Sequence, residues 1–152
     1  MQSFPAPYSL PKNLEADLAR VLAYWQGLKR GEANMPFWDD INISALPDLL
    51  DRLMLIDVFN KPVRFRFAIV GDEIKAQHGG ELVGKFLDEL EARDPLRYLN
   101  SQSSATVESH APTYYRSLEV ERRGYSRLLL PMWGDGHIGM LLGAVTARPL
   151  GN

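Results

Sequence analysis

Three histidines, His78, His110 and His137, are the side chains best suited by type to hold a metal or shuttle a proton. No two of them share a spacing that would bring both rings to one face of a strand or helix. No HxH, HxxxH or HExxH occurs. His78 ends an expected helical segment and His110 follows a longer one, so an imidazolium placed against the helix dipole accounts for both. Cysteine is absent, which excludes disulfides, thiolate metal sites and cysteine nucleophiles. Acidic runs at Asp39-Asp40 and Asp88-Glu89-Glu91 read as caps and solvated helix faces, and Asp94 before Pro95 reads as an N-cap. There is no GxSxG for a serine nucleophile. Gly134, Gly136 and Gly139 match the spacing of a dinucleotide fingerprint but fall in a hairpin, where no helix follows to receive a phosphate. The residues predict no catalytic activity and no metal site.

The elements that would position a site follow from composition and pattern. The chain has 152 residues, of which 45% are hydrophobic, enough to bury one core and make one domain. A net charge of −2 gives no basic surplus for nucleic acid or an anionic membrane. The start MQSFPAPYSL lacks the basic and apolar regions of a signal peptide. No apolar run approaches the ~18 residues of a membrane span, and a soluble cytoplasmic protein is expected.

Residues 1–31 read as a proline-containing arm and a flanking helix, with Asn13 as N-cap and Gly31 as terminator. Leu14, Leu18, Val21, Leu22, Trp25 and Leu28 form one apolar stripe at helical spacing. A short helix is expected after Ser44. Residues 63–90 carry the central pattern: a strand alternating Phe65, Phe67 and Ile69 against Arg64, Arg66 and Ala68, then a helical segment over 73–78 closed by Gly79-Gly80. A second helical segment is expected from 81 or 85 to 90. The spacing then predicts a helix over 95–109. Strands are expected near 53–59, 63–70, 113–121, 125–133 and 137–147. The order helix, helix, two strands, helical crossover, three strands predicts an α+β fold. It has a five-stranded antiparallel sheet with helices 73–109 on one face.

Four motifs in this order resemble the PAS domain family, in its short stand-alone bacterial form with an added N-terminal helix. They are YWQGLKRG, LPDLLDRLMLIDV, FRFAIVGDEIKAQHGGELVGKFLDEL and SRLLLPMWGDGHIGMLLGAV. The resemblance spans about residues 14–145 and assigns 32–152 to the PAS-like domain. It implies a small ligand held between sheet and helices, and signalling by dimerisation or by docking a separate protein. Flavin-adduct and thioester-linked chromophores of such domains both need a cysteine, so neither photochemistry is possible here. Haem would need an axial histidine, with His78 the best placed, and capping is the simpler reading of that residue.

Two functional readings follow. In the first, the chain is a sensor whose mostly apolar pocket is lined by Phe65, Phe67, Ile69, Met140 and Leu142, with His78, Tyr114 and Arg127 as polar anchors. Gly139 and Gly143 would leave room beside the last strand. In the second, the same side chains fill the core and the chain is a ligand-free dimeric adaptor. Either way a homodimer that uses helix one is expected, with the stripe Leu14, Leu18, Val21, Leu22, Trp25 and Leu28 as its interface; the alternative is that the helix covers the outer face of its own sheet in a monomer.

Overall fold

A computed structural model describes residues 8–90, 95–117 and 124–148. Helix α1 (Ala16–Gly27) comes first. It is followed by two 3-10 turns, Trp38–Asp40 and Ile43–Ala45. A third, Leu50–Arg52, leads into strand β1 (Leu53–Phe59), and the hairpin partner is β2 (Arg64–Val70). Helix α2 (Asp72–His78), a 3-10 turn at Leu87–Glu89 and helix α3 (Leu99–Ser109) make the crossover. Strands β3 (Thr113–Arg116), β4 (Gly124–Gly134) and β5 (His137–Arg148) close the chain. All pairings are antiparallel, in the order β2-β1-β5-β4-β3. Residues 118–121 of the expected third strand lie outside the described residues, as do Glu91 and Asp94.

Helix α1 starts at Ala16, with Glu15 at the capping position making no side-chain cap, and stops at Gly27. Both ends fall inside the expected limits of Asn13 and Gly31; at the start the Glu15 carboxylate is taken by Tyr114 of the sheet, and at the end the Leu28 N–H turns back to the Trp25 carbonyl. Leu18, Val21 and Trp25 are buried at 1–2% exposure, and the Trp25 indole N–H donates to the Pro131 carbonyl at 2.9 Å. The stripe therefore packs on β4 and β5 of its own chain.

The helix expected after Ser44 is two separate 3-10 turns, the first capped by Asn42 through the Ser44 N–H. The helical segment expected over 81–90 is a single 3-10 turn. Its backbone is used elsewhere: Gly84 N–H donates to Phe67 O at 2.8 Å, and Phe67 N–H donates to Lys85 O at 3.0 Å. The segment thereby covers the free edge of β2, whose unpaired groups would otherwise invite another strand.

Strand β2 does not keep period two. Leu55 pairs with Ile69 but Ile56 pairs with Phe67, so Ala68 is an extra residue, a bulge. Beyond it the side chains change face: Phe65, Phe67 and Val70 are buried, while Ile69 is 44% exposed. The sequence-based expectation that Ile69 shares a face with Phe65 and Phe67 is thus corrected.

Cross-strand pairing assigns the two faces. One carries Phe65, Phe67, Ile56, Met54, Leu141, Gly143, Leu129, Arg127 and Tyr115, and lies under the crossover. The other carries Leu53, Leu55, Leu142, Met140, Leu128, Leu130, Ser126 and Tyr114, and lies under α1.

Candidate functional site

The polar centre of the molecule is Arg127 on β4, opposite Tyr115 of β3 and Val145 of β5. Its side chain is fully buried. Nε donates to Gln102 Oε1 at 2.7 Å, and the two terminal nitrogens donate to the carbonyls of Pro95 (2.8 Å) and Arg97 (2.9 Å). The Tyr115 ring lies 4.8 Å from the guanidinium and the Tyr125 ring 6.0 Å away. Arg20, Arg30, Arg52, Arg64 and Arg66 each pair with a carboxylate. Among the described residues no carboxylate reaches Arg127. Burial pushes its pKa down to about 10, against the opposing influence of Tyr125, Tyr115 and Tyr8, so the group still carries its charge at neutral pH.

Helix α3 explains how such a charge is held. Its buried face is Leu99, Gln102, Ser103 and Thr106 rather than an apolar stripe, and it starts at Leu99, not Pro95. The Gln102 amide N–H donates to Thr113 Oγ1 (3.1 Å) and to the Arg127 carbonyl (3.4 Å). The Thr106 and Thr113 hydroxyls lie 2.6 Å apart. The segment before α3 is drawn down onto Arg127 by its two carbonyls, and the chain enters the helix through Tyr98 in the left-handed conformation, φ 63°. Tyr98 and Tyr8 lay their rings against Tyr115, with centroids 5.8 and 6.3 Å away. Tyr8 is fixed by its hydroxyl to Ser101 and by its carbonyl, which accepts the Tyr114 N–H at 2.8 Å. An open groove of about 1050 Å³ runs alongside, between Tyr8–Leu10, the Ser101, Ser104 and Ala105 side of α3, and Thr113.

Tyr114, one residue along β3, faces the other way. Its hydroxyl donates toward both Glu15 carboxylate oxygens (3.0 Å each) and lies 2.9 Å from Ser126 Oγ. Burial raises its pKa. Glu15 raises it further and Ser126 lowers it.

The eight residues expected to line one pocket are not brought together. Phe65 and Phe67 are core residues under the crossover, and Arg127 shares their face at the far side of the sheet. His78 is buried as the last residue of α2. Tyr114, Met140 and Leu142 lie on the α1 face, and Ile69 is turned out by the bulge. The room expected beside Gly143 is filled: an added Cβ would meet Met54 at 2.7 Å and Leu129 at 3.0 Å. At Gly139 an added Cβ would meet the Gly134 backbone at 3.5 Å, and the space at Gly134 holds the Trp38 ring.

Of the expected interface stripe, Leu18, Val21 and Trp25 are covered within the chain, and Leu14 and Leu22 are half-buried against the same core. Leu28 is also half-buried. The histidines stay apart. His110 packs near Trp133 and His137 contacts the Asp135 carbonyl. No cluster of three or more potential ligands forms among the described residues. Sequence reasoning missed Gln102, Thr113, Tyr115, Tyr125, Tyr8 and Tyr98. The one local signal was the SQSS run, which puts polar residues where an apolar stripe belongs.

Among solved structures, a sensory box sensor histidine kinase from Vibrio cholerae is similar to this chain. The likeness covers 88% of this chain and 99% of that one, at 16% identity and a TM-score of 0.50. The fold is PAS-like. No family model and no curated protein matches the sequence. The PAS-like sheet, with α1 on one face and the crossover helices on the other, is the α+β architecture expected from the element order. No described helix is long and apolar enough to cross a membrane.

Proposed function

We propose that this chain is a non-enzymatic, cytoplasmic PAS-type signalling domain that senses a small molecule and passes the signal to a separate protein. The observation that carries this reading is Arg127, buried in a PAS-like sheet near an open groove with no carboxylate partner among the described residues. A residue in that state serves binding more readily than stability, because a charge without a counter-ion is costly to bury. The groove walls are mostly apolar, with Leu10, Ala105, Ala111 and Pro112 beside a few hydroxyl-bearing residues, so the expected ligand keeps an apolar part and Arg127 adds a polar one. Output through a homodimer belongs to the same proposal, with an interface that avoids the covered residues Leu18, Val21 and Trp25.

A second reading has its own support. Met54 and Leu129 occupy the space beside Gly143, as a ligand-free adaptor with a filled core requires. Native mass spectrometry of freshly purified protein separates the two, since it reports bound mass and oligomeric state together. A retained small molecule supports the sensor. A bare chain that also gives no thermal response to a panel of small acids, nucleotides and lipids supports the adaptor. Turnover of any panel compound would overturn the non-enzymatic assignment.

A further inference from the structure

The sensor reading leaves open what the ligand is, and the surroundings of Arg127 narrow it. A guanidinium has five N–H donors. Three are taken by a side-chain amide and two main-chain carbonyls, and Tyr125 makes a further side-chain hydrogen bond to the group, so every partner among the described residues is neutral. No anion balances the charge among the described residues, and the faces of Tyr115 and Tyr125 do so only in part. A second pair of tyrosines lies against Tyr115.

Tyr8 and Tyr98 both pack on Tyr115, and both sit in the left-handed region, at φ 69° and 63°. Residues with side chains rarely adopt that conformation, and it concentrates at binding sites and switch segments. Neither belongs to a helix or strand. Tyr98 is 55% exposed, so little packing opposes its movement. Behind Tyr8 lies the groove, its mostly apolar walls interrupted by Ser101, Ser104, Ser109, Thr113 and the acidic Glu108.

We propose that Arg127 anchors an oxyanion, the carboxylate or phosphate group of a small metabolite, admitted when Tyr8 and Tyr98 move off Tyr115. Planar two-point pairing with such a group is what a guanidinium does best. The groove, mostly apolar with serine and threonine residues among its walls, takes the rest of the molecule. The Tyr8 carbonyl accepts the Tyr114 N–H, and the Tyr114 hydroxyl donates to Glu15, the residue that begins α1. Displacing Tyr8 therefore perturbs the hydrogen bonds that fix the start of α1, and the site has a physical route to the opposite face of the sheet. This proposal rests on the sensor reading.

Sodium phosphate, acetate and succinate, titrated against sodium chloride at equal ionic strength, provide the test. The Arg127 Nε–H resonance is followed by NMR together with the melting temperature. At least one oxyanion should give a saturable shift of that resonance and raise the melting temperature, while chloride gives neither. Gln102→Glu puts a carboxylate beside Nε. It should raise the melting temperature without ligand and weaken the oxyanion response at least tenfold. Tyr98→Ala, at an exposed position, should keep the fold and accelerate binding. The proposal is overturned if no oxyanion shifts the Arg127 signal beyond chloride, or if Gln102→Glu leaves the response unchanged. A neutral compound retained in native mass spectrometry, alongside a silent Arg127, would remove the oxyanion and keep the sensor.

Discussion

Trp25→Ala tests how this fold spends its first helix. Trp25 is 2% exposed, and its indole N–H donates to the buried Pro131 carbonyl at 2.9 Å. Truncating a buried tryptophan to alanine costs about 3–5 kcal/mol through lost transfer energy and the cavity left behind. The orphaned carbonyl adds desolvation that places this site at the upper end, near ~5 kcal/mol. A domain of this size is stable by about 5–15 kcal/mol, so the loss approaches a third or more of the total. In urea, with a slope of about 2 kcal/mol per molar, the midpoint should fall by roughly 2.5 M. Far-UV circular dichroism is the suitable probe, because Trp25 is one of three tryptophans and its removal alters the fluorescence. Trp25→Phe keeps most of the buried area and loses the donor and part of the ring, so it should cost less than the alanine variant, about 1–3 kcal/mol. If Trp25→Ala moves the midpoint by less than ~0.5 M while dissociating an oligomer, the stripe serves a second copy and the packing described above is wrong.

Three further outcomes are expected. Gly143→Ala should destabilise by about 1–3 kcal/mol, since its Cβ would press on Met54 and Leu129. A neutral result in urea melts would mean that empty space lies there. Ile69→Lys should change stability by no more than ~0.5 kcal/mol whereas Phe67→Lys should prevent folding, and equal effects of the two would refute the bulge at Ala68. Tyr114 should be among the last tyrosines to ionise in an absorbance titration at alkaline pH. With its folded pKa raised above 10, the unfolded chain loses that proton first, so stability should fall as pH rises from about 10 through the folded value. Tyr114→Phe should remove both the late absorbance step and that slope, and a wild-type titration identical to the variant's would contradict the Glu15 contact.

The sequence by itself determined the class and the order of elements. Strand periodicity, the Gly134-Asp135-Gly136 turn and the glycine stop after His78 are local signals, and each matches an observed strand, hairpin or left-handed cap. Which face a residue occupies is not local. A single extra residue at Ala68 turns Ile69 outward, and pairing of β5 with β1 and β4 puts Met140 and Leu142 under α1 instead of under the crossover. Apolar spacing showed that helix one must bury a stripe, but only its docking on β4 and β5 shows where. The Arg127 site was the least legible. It is assembled from the arm, β3, β4 and the segment before α3, brought together only when the sheet closes. In the sequence Gln102 reads as a flaw in a helix stripe; against Arg127 and Thr113 it is the residue that lets a charge be buried, because hydrogen-bond partners for a buried cation come from tertiary structure.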